Sequence, residues 1–237
     1  MSMIWAAAGA VVGLAAGTAL SGEVYRMSVR SGEPDQAACR ECGAPLPAWT
    51  ARRCRHCGQW LGAALVTELT TAMVMALLFG RFGGQPVVAA FAFLGAVGVA
   101  LAQVDAAVQR LPDRLTLPAY PAVIALLAGA AVADHAGSSF ARAVFCGLIL
   151  TAAYLVLGIA SRGQLGGGDV KLAGLIGLSL GWMSWQTMIT GTCLGFVLAA
   201  VAGLALLAAG RASRRSLISF GPFMLGGAFL ALLGASA

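Results

Sequence analysis

Residues 3–21 read MIWAAAGAVVGLAAGTALS, nineteen positions without one charged side chain. About 20 apolar residues in helical form cross the hydrocarbon core of a bilayer. Comparable stretches recur near 61–80, 84–104, 115–133, 143–160, 171–186, 187–209 and 220–236. Of the 237 residues, 59% are hydrophobic and 10% charged, against about 25% charged in soluble domains. Mean hydropathy is +0.87. A soluble core with a solvated surface is excluded on these grounds. The expected fold class is an all-α polytopic membrane protein with about eight transmembrane helices. GWMSWQT (181–187) reads as the turn between the sixth and seventh, its tryptophans suiting the headgroup region.

No Lys or Arg precedes residue 3. The first stretch therefore lacks the positive flank of a secretory signal and reads as an uncleaved first helix with its N-terminus outside. With eight spans, thirteen of the fifteen Lys and Arg fall on the inner side, and Arg81 and Arg142 on the outer. That asymmetry sets the expected orientation. The net charge of +6 reads as this bias, with attraction to anionic lipid. No nucleic-acid partner is expected.

The expected organisation is a first helix (1–21), a cytoplasmic loop domain (22–60) and a membrane domain (61–237). The loop holds CREC (39–42) and CRHC (54–57). Two C-x-x-C turns, Cys39 with Cys42 and Cys54 with Cys57, can close one tetrahedral site of four thiolates around a structural zinc ion. Two disulfides are the alternative, opposed by the reducing compartment on the arginine-rich side. Cys146 and Cys193 stand alone in apolar stretches and read as small core residues.

Most of the nine acidic residues lie in polar loops; Glu68, Asp105, Asp113 and Asp169 do not. An ionisable group at a membrane helix is costly and marks function by default. Asp113 follows Pro112 and reads as an N-cap of the fourth helix. Asp105 ends the third span. Asp169 ends the run Gly166, Gly167, Gly168 in GQLGGGDVKL (163–172). Glycines there permit positive φ and close approach by another backbone, and the following helix N-terminus favours a carboxylate. Two nearby carboxylates in a partly dry site divide one proton between them and can serve as base and acid. A proton relay and structural polar packing remain open for the same residues, the relay belonging to a membrane transporter.

Several blocks together resemble the type IV prepilin leader peptidases of bacteria, membrane aspartyl proteases of the GxGD type. DAAVQRLPDRLTLP (105–118) is similar to the first catalytic block and GGGDVKL (166–172) to the second. GTALSGEVYR (17–26), the two C-x-x-C pairs, LVTELT (65–70) and ISFGPF (218–223) follow the family's order. The resemblance implies removal of a short basic leader from prepilins or pseudopilins at the cytoplasmic face of the bacterial inner membrane. In many members, methylation of the new N-terminus by S-adenosylmethionine follows. It assigns Asp105 and Asp169 as the catalytic pair, Gly166–Gly168 and Lys171 as the loop beside the substrate, and Cys39, Cys42, Cys54 and Cys57 as zinc ligands. Glu68, Arg26 and Asp113 take structural or methyl-transfer roles. The amino-terminal blocks depart from the family, with Ser21 in an asparagine's place and AWTARR (48–53) before the second Cys pair. Peptidase with methyltransferase, and peptidase alone, both stay open. The oligomeric state is not legible, because small residues such as GLIGLSLG (174–181) serve internal packing and dimerisation alike.

Overall fold

A computed structural model describes residues 2–29, 35–46, 53–161, 165–210 and 219–235. Arg30, Arg52, Arg162, Arg211, Arg214 and Arg215, counted above for orientation, lie outside the described residues, as do Gly163, Gln164 and Ile218. Among the described residues there are eight helices and no strand beyond two isolated bridges. Six helices are long and apolar enough to cross a membrane. The chain divides into two compact units, Met1–Pro112 and Asp113–Ala237.

The first unit contains α1 (Ser2–Met27), α2 (Ala64–Phe82) and α3 (Val88–Val108). Gly9, Gly13 and Gly17 recur every four residues and so share one face of α1. That face lies directly on α2. A Cβ at Gly13 would stand 2.6 Å from the Cα of Ala72, and one at Gly17 2.7 Å from the Cα of Glu68. The stripe continues through Ser21 and Tyr25, both buried. This is why α1 runs six residues past the expected end at 21. Its last turn packs like the rest, and Glu23 and Arg26 pair across one turn at 4.0 Å. Bringing two backbones together gains dispersion contacts that lipid cannot supply. Gly17→Leu is expected to destabilise the unit by about 2 kcal/mol or more through overpacking, read as a lower thermal midpoint in detergent. Gly129→Leu, with nothing within 4 Å of the added Cβ, serves as the control.

The second unit holds α4 (Asp113–Ala133), α5 (Gly137–Ala160), α6 (Gly167–Met183), α7 (Trp185–Ala208) and α8 (Gly221–Gly234). At its centre is α6, with Leu172–Trp182 buried without a break. It has 17 residues, about 25 Å at 1.5 Å per residue. Around it the pattern of a soluble protein is inverted: Val132 (78%), Ile159 (72%) and Leu204 (67%) are among many large apolar side chains left exposed. Surfaces of this kind face lipid. The chain is a multi-pass membrane protein. The turn expected at 181–187 is present, with Ser184 capping α7 by accepting the amide of Thr187 at 2.9 Å. The glycines of GLIGLSLG serve internal packing: a Cβ at Gly177 would stand 2.7 Å from the carbonyl oxygen of Cys146 on α5.

The glycine run differs from the expectation of an open loop. Gly166 is extended (φ −70°, ψ 146°) and α6 begins at Gly167, four residues before the expected span. None of Gly166, Gly167 and Gly168 has positive φ. The cause is Asp169 itself. Its Oδ2 accepts the Gly166 amide at 3.2 Å while its own amide donates to the Gly166 carbonyl at 3.0 Å. These bonds close the first turn and wind the glycines into it.

Candidate metal centre and membrane carboxylates

The two C-x-x-C turns are built alike. In the first, the Cys39 amide donates to the carbonyl of Ala44 and the Gly43 amide returns to that of Cys39, both at 2.9 Å. In the second, the Cys54 amide donates to Gln59 at 2.8 Å and the Gly58 amide to Cys54 at 2.9 Å. Gly43 (φ 71°) and Gly58 (φ 73°) take the left-handed conformation that turns each chain back. The four Sγ atoms lie within 4.8 Å of one another. Cys39 and Cys57 are 3.9 Å apart and Cys42 and Cys54 3.7 Å. A tetrahedron with Zn–S bonds of about 2.3 Å has edges of about 3.8 Å, so the donor set and its spacing fit such an ion. None of the four is in a disulfide.

The sulfurs differ in acidity. The amides of Cys57 and His56 point at Cys54 and hold its thiol down to about 6, against some desolvation. At Cys42 the amide of Ala44 pulls the other way, but desolvation and the sulfurs of Cys57, Cys54 and Cys39 push the thiol up to about 12. At neutral pH Cys54 therefore offers a ready thiolate, and Cys42 gives up its proton only as metal binds. Acidification must weaken metal retention, because protons compete for the same sulfurs. Titrating zinc into the metal-free protein is expected to release at least one proton per site. Calorimetry in two buffers of different ionisation enthalpy measures it, and identical heats in both would contradict the assignment.

Tyr25, within the block GTALSGEVYR (17–26), ties this centre to the end of α1. It packs with Cys39, Leu46, Cys54 and Leu61 in one buried cluster. Its hydroxyl accepts from the Arg40 amide at 3.1 Å and from Gln36 Nε2 at 3.2 Å. Beside it lies a cavity of about 410 Å³ lined by Ser21, Tyr25, Arg40, Thr67, Gln103 and neighbours. Gln103 is fixed there by the Thr67 hydroxyl, which donates to its Oε1 at 2.6 Å. Glu68, on the next position of α2, is 4% exposed.

Asp105 is 5% exposed in the last turn of α3. The helix runs four residues beyond the expected end at 104, so the carboxylate sits inside helical structure. Gln109, in the left-handed conformation, ends the helix by donating its amide to the Asp105 carbonyl at 2.7 Å.

In the second unit Asp169 is half-buried at the third position of α6. Asp113 opens α4, and its Oδ1 accepts from Lys171 Nζ at 2.6 Å. Lys171 is thus bound to α4 by a side-chain ion pair and also through its backbone, whose carbonyl accepts the Tyr120 hydroxyl at 2.6 Å. Gly174 leaves the room that Tyr120 needs: any Cβ there would collide with its hydroxyl. Tyr154 of α5 belongs to an aromatic cluster with Phe196 and Phe220, whose ring centres are 5.2 Å apart.

Residues 92–208, which include Asp105 and Asp169, match the type IV leader peptidase family. Among similar proteins is a prepilin leader peptidase/N-methyltransferase of Burkholderia pseudomallei, 30% identical over 211 residues, or 81% of this chain and 65% of that protein. Proteins of the same name from Pseudomonas aeruginosa (26% identical, 83% and 71% covered) and Aeromonas hydrophila (28%, 84% and 71%) are also similar. The chain thus spans 65% of the length of the Burkholderia relative. No solved structure matches it.

Proposed function

We propose that this chain is a membrane aspartyl endopeptidase that removes the basic leader of type IV prepilins or pseudopilins. Asp105 and Asp169 are its reacting carboxylates. The observation that carries the reading is the burial of Asp105 in an apolar helix within the segment matched to the leader peptidases. A carboxylate there is costly, and peptide hydrolysis supplies a reason for it. One carboxylate, ionised, takes a proton from water as the oxygen attacks the scissile carbonyl. The other, protonated, gives its proton to the departing amine. Lys171, held by Asp113 and Tyr120, fixes the turn that carries Asp169, and the side-chain-free Gly166–Gly168 leaves space beside it for an extended peptide.

Cys39, Cys42, Cys54 and Cys57 hold a structural zinc ion. Four sulfurs leave no open coordination position for water. The active site faces the cytoplasm of a bacterial inner membrane, and the N-terminus lies outside; the arginine asymmetry of the sequence supports this. A second activity, methylation of the new N-terminus by S-adenosylmethionine, is supported by the cavity beside the zinc centre, which is of cofactor size, and by the names of the relatives. Glu68 and Arg26 either brace that region or act in methyl transfer. Substrate mass before and after exposure to the enzyme tests both activities.

A further inference from the structure

The helix that carries Asp169 packs on α5 at very close range. Gly174, Gly177 and Gly181 form its face toward α5. A Cβ at Gly177 would stand 2.8 Å from the Cα of Gly147, and one at Gly181 3.1 Å from the Cα of Ala143. Leu178 of α6 is seated on Gly147 of α5, with its Cγ 3.0 Å from where a Cβ would stand, and Cys146 of α5 is seated on Gly181. Such interlocking resists sliding, and the two ends of α6 carry further restraints.

Near Asp169, the end is held by Tyr120 on the Lys171 carbonyl and by Lys171 on Asp113. At the opposite end stands Arg142 of α5. Its Nε donates to the carbonyl of Gly181 at 2.8 Å, and a terminal nitrogen donates to those of Trp182 (2.5 Å) and Met183 (3.0 Å). Ser139 accepts from the same nitrogen at 3.1 Å. The last four carbonyls of a helix lack partners within it. In α6 the first of these, Leu180, is taken by the Ser184 amide at 3.2 Å. Arg142 takes the other three. A cation at a helix C-terminus also complements the dipole whose positive end faces Asp169. The arrangement accounts for one of the two basic residues that the sequence placed on the outer side without explanation.

We infer that Arg142 is a positioning residue for peptide cleavage, fixing the axial register of α6 from the end opposite Asp169. The inference rests on Asp169 being a reacting carboxylate. From Gly181 to Asp169 the helix is a rigid rod of about 18 Å, so a shift at one end appears undiminished at the other. Misplacing a reacting group by about 1 Å costs up to about 100-fold in rate.

The test uses the full-length protein with spin labels at Ser138→Cys on α5 and Gly167→Cys on α6, both exposed, in a Cys193→Ser background. Arg142→Gln is expected to shift or broaden the inter-label distance by about one helical rise, ~1.5 Å. Without labels, it is expected to lower kcat for prepilin cleavage about 10-fold or more, with KM little changed and a displaced pH profile. Arg142→Lys keeps the charge but loses the planar fork, and is expected to fall between the two; it decides the matter if Arg142→Gln does not accumulate in membranes. A merely structural role would reduce the amount of folded enzyme and leave kcat per folded molecule and the pH profile as they were. Wild-type distance, kcat and pH profile in the variants would overturn the inference, as would lost activity at an unchanged distance. Normal cleavage by Asp169→Asn would instead remove the catalytic reading, a result separable from the distance measurement.

Discussion

Asp169→Asn is expected to reduce prepilin cleavage by about 1,000-fold or more, and Asp105→Asn to do the same. Asparagine matches aspartate in shape and can still accept a hydrogen bond through its oxygen. The bond from the Gly166 amide that closes the first turn of α6 therefore survives in Asp169→Asn. At position 105 the backbone bond from Gln109 that ends α3 is independent of the side chain. What each variant loses is the capacity to take up or release a proton, which an amide lacks at any working pH. On the proposed mechanism each carboxylate is indispensable, so the double variant should be little worse than either single one. Comparable expression and thermal midpoints, with turnover lost, form the expected pattern. Substantial cleavage by either variant would remove that residue from the chemistry.

Losing the metal is expected to produce the second large effect, on folding and not directly on the chemistry. The buried cluster around the sulfurs contains Tyr25, Cys39, Leu46, Cys54 and Leu61, with Ala44 packed on it. A core of that size cannot offset the conformational entropy of the loop. Structural zinc sites supply on the order of 10 kcal/mol of binding energy to folding. Cys54→Ser, or a strong chelator, should open the segment between Gln36 and Leu61 to proteolysis and lower the metal content from one ion per chain toward none. The helices should remain, because the glycine face of α1 on α2 does not depend on the sulfurs. Peptidase activity is therefore expected to fall by less than in the aspartate variants. A metal-free protein that resists proteolysis in this segment would show that the loop folds without the ion.

The sequence revealed most where residue type alone fixes the chemistry. The C-x-x-C pairs needed only their spacing to be read as one site, and the sulfur geometry agrees. The apolar stretches located the eight helices found among the described residues, because burial in lipid leaves few other ways to satisfy a backbone. Their ends were harder to see. α1 continues to Met27 because its buried stripe runs on through Ser21 and Tyr25, where composition already looks polar. A run of glycines reads as a loop, yet Asp169 draws Gly167 and Gly168 into helix by holding the Gly166 amide. Asp113 was read from its place after a proline, and its partner Lys171 lies 58 residues away in sequence, beyond any local pattern. Tyr120 and Arg142 were invisible for the same reason: each acts on backbone carbonyls of α6, and a carbonyl carries no signature in sequence.

The account stands or falls on the mass of a prepilin co-expressed with this chain, compared with the same prepilin co-expressed with Asp169→Asn. A loss equal to the leader, seen with the unmodified enzyme and absent with the variant, is the predicted result. A further ~14 Da on the mature N-terminus, one methyl replacing one hydrogen, would add the methyltransferase, and its absence would leave a peptidase alone. Prepilins of several types that stay uncleaved with the unmodified enzyme, or that are cleaved equally by the variant, would contradict the account.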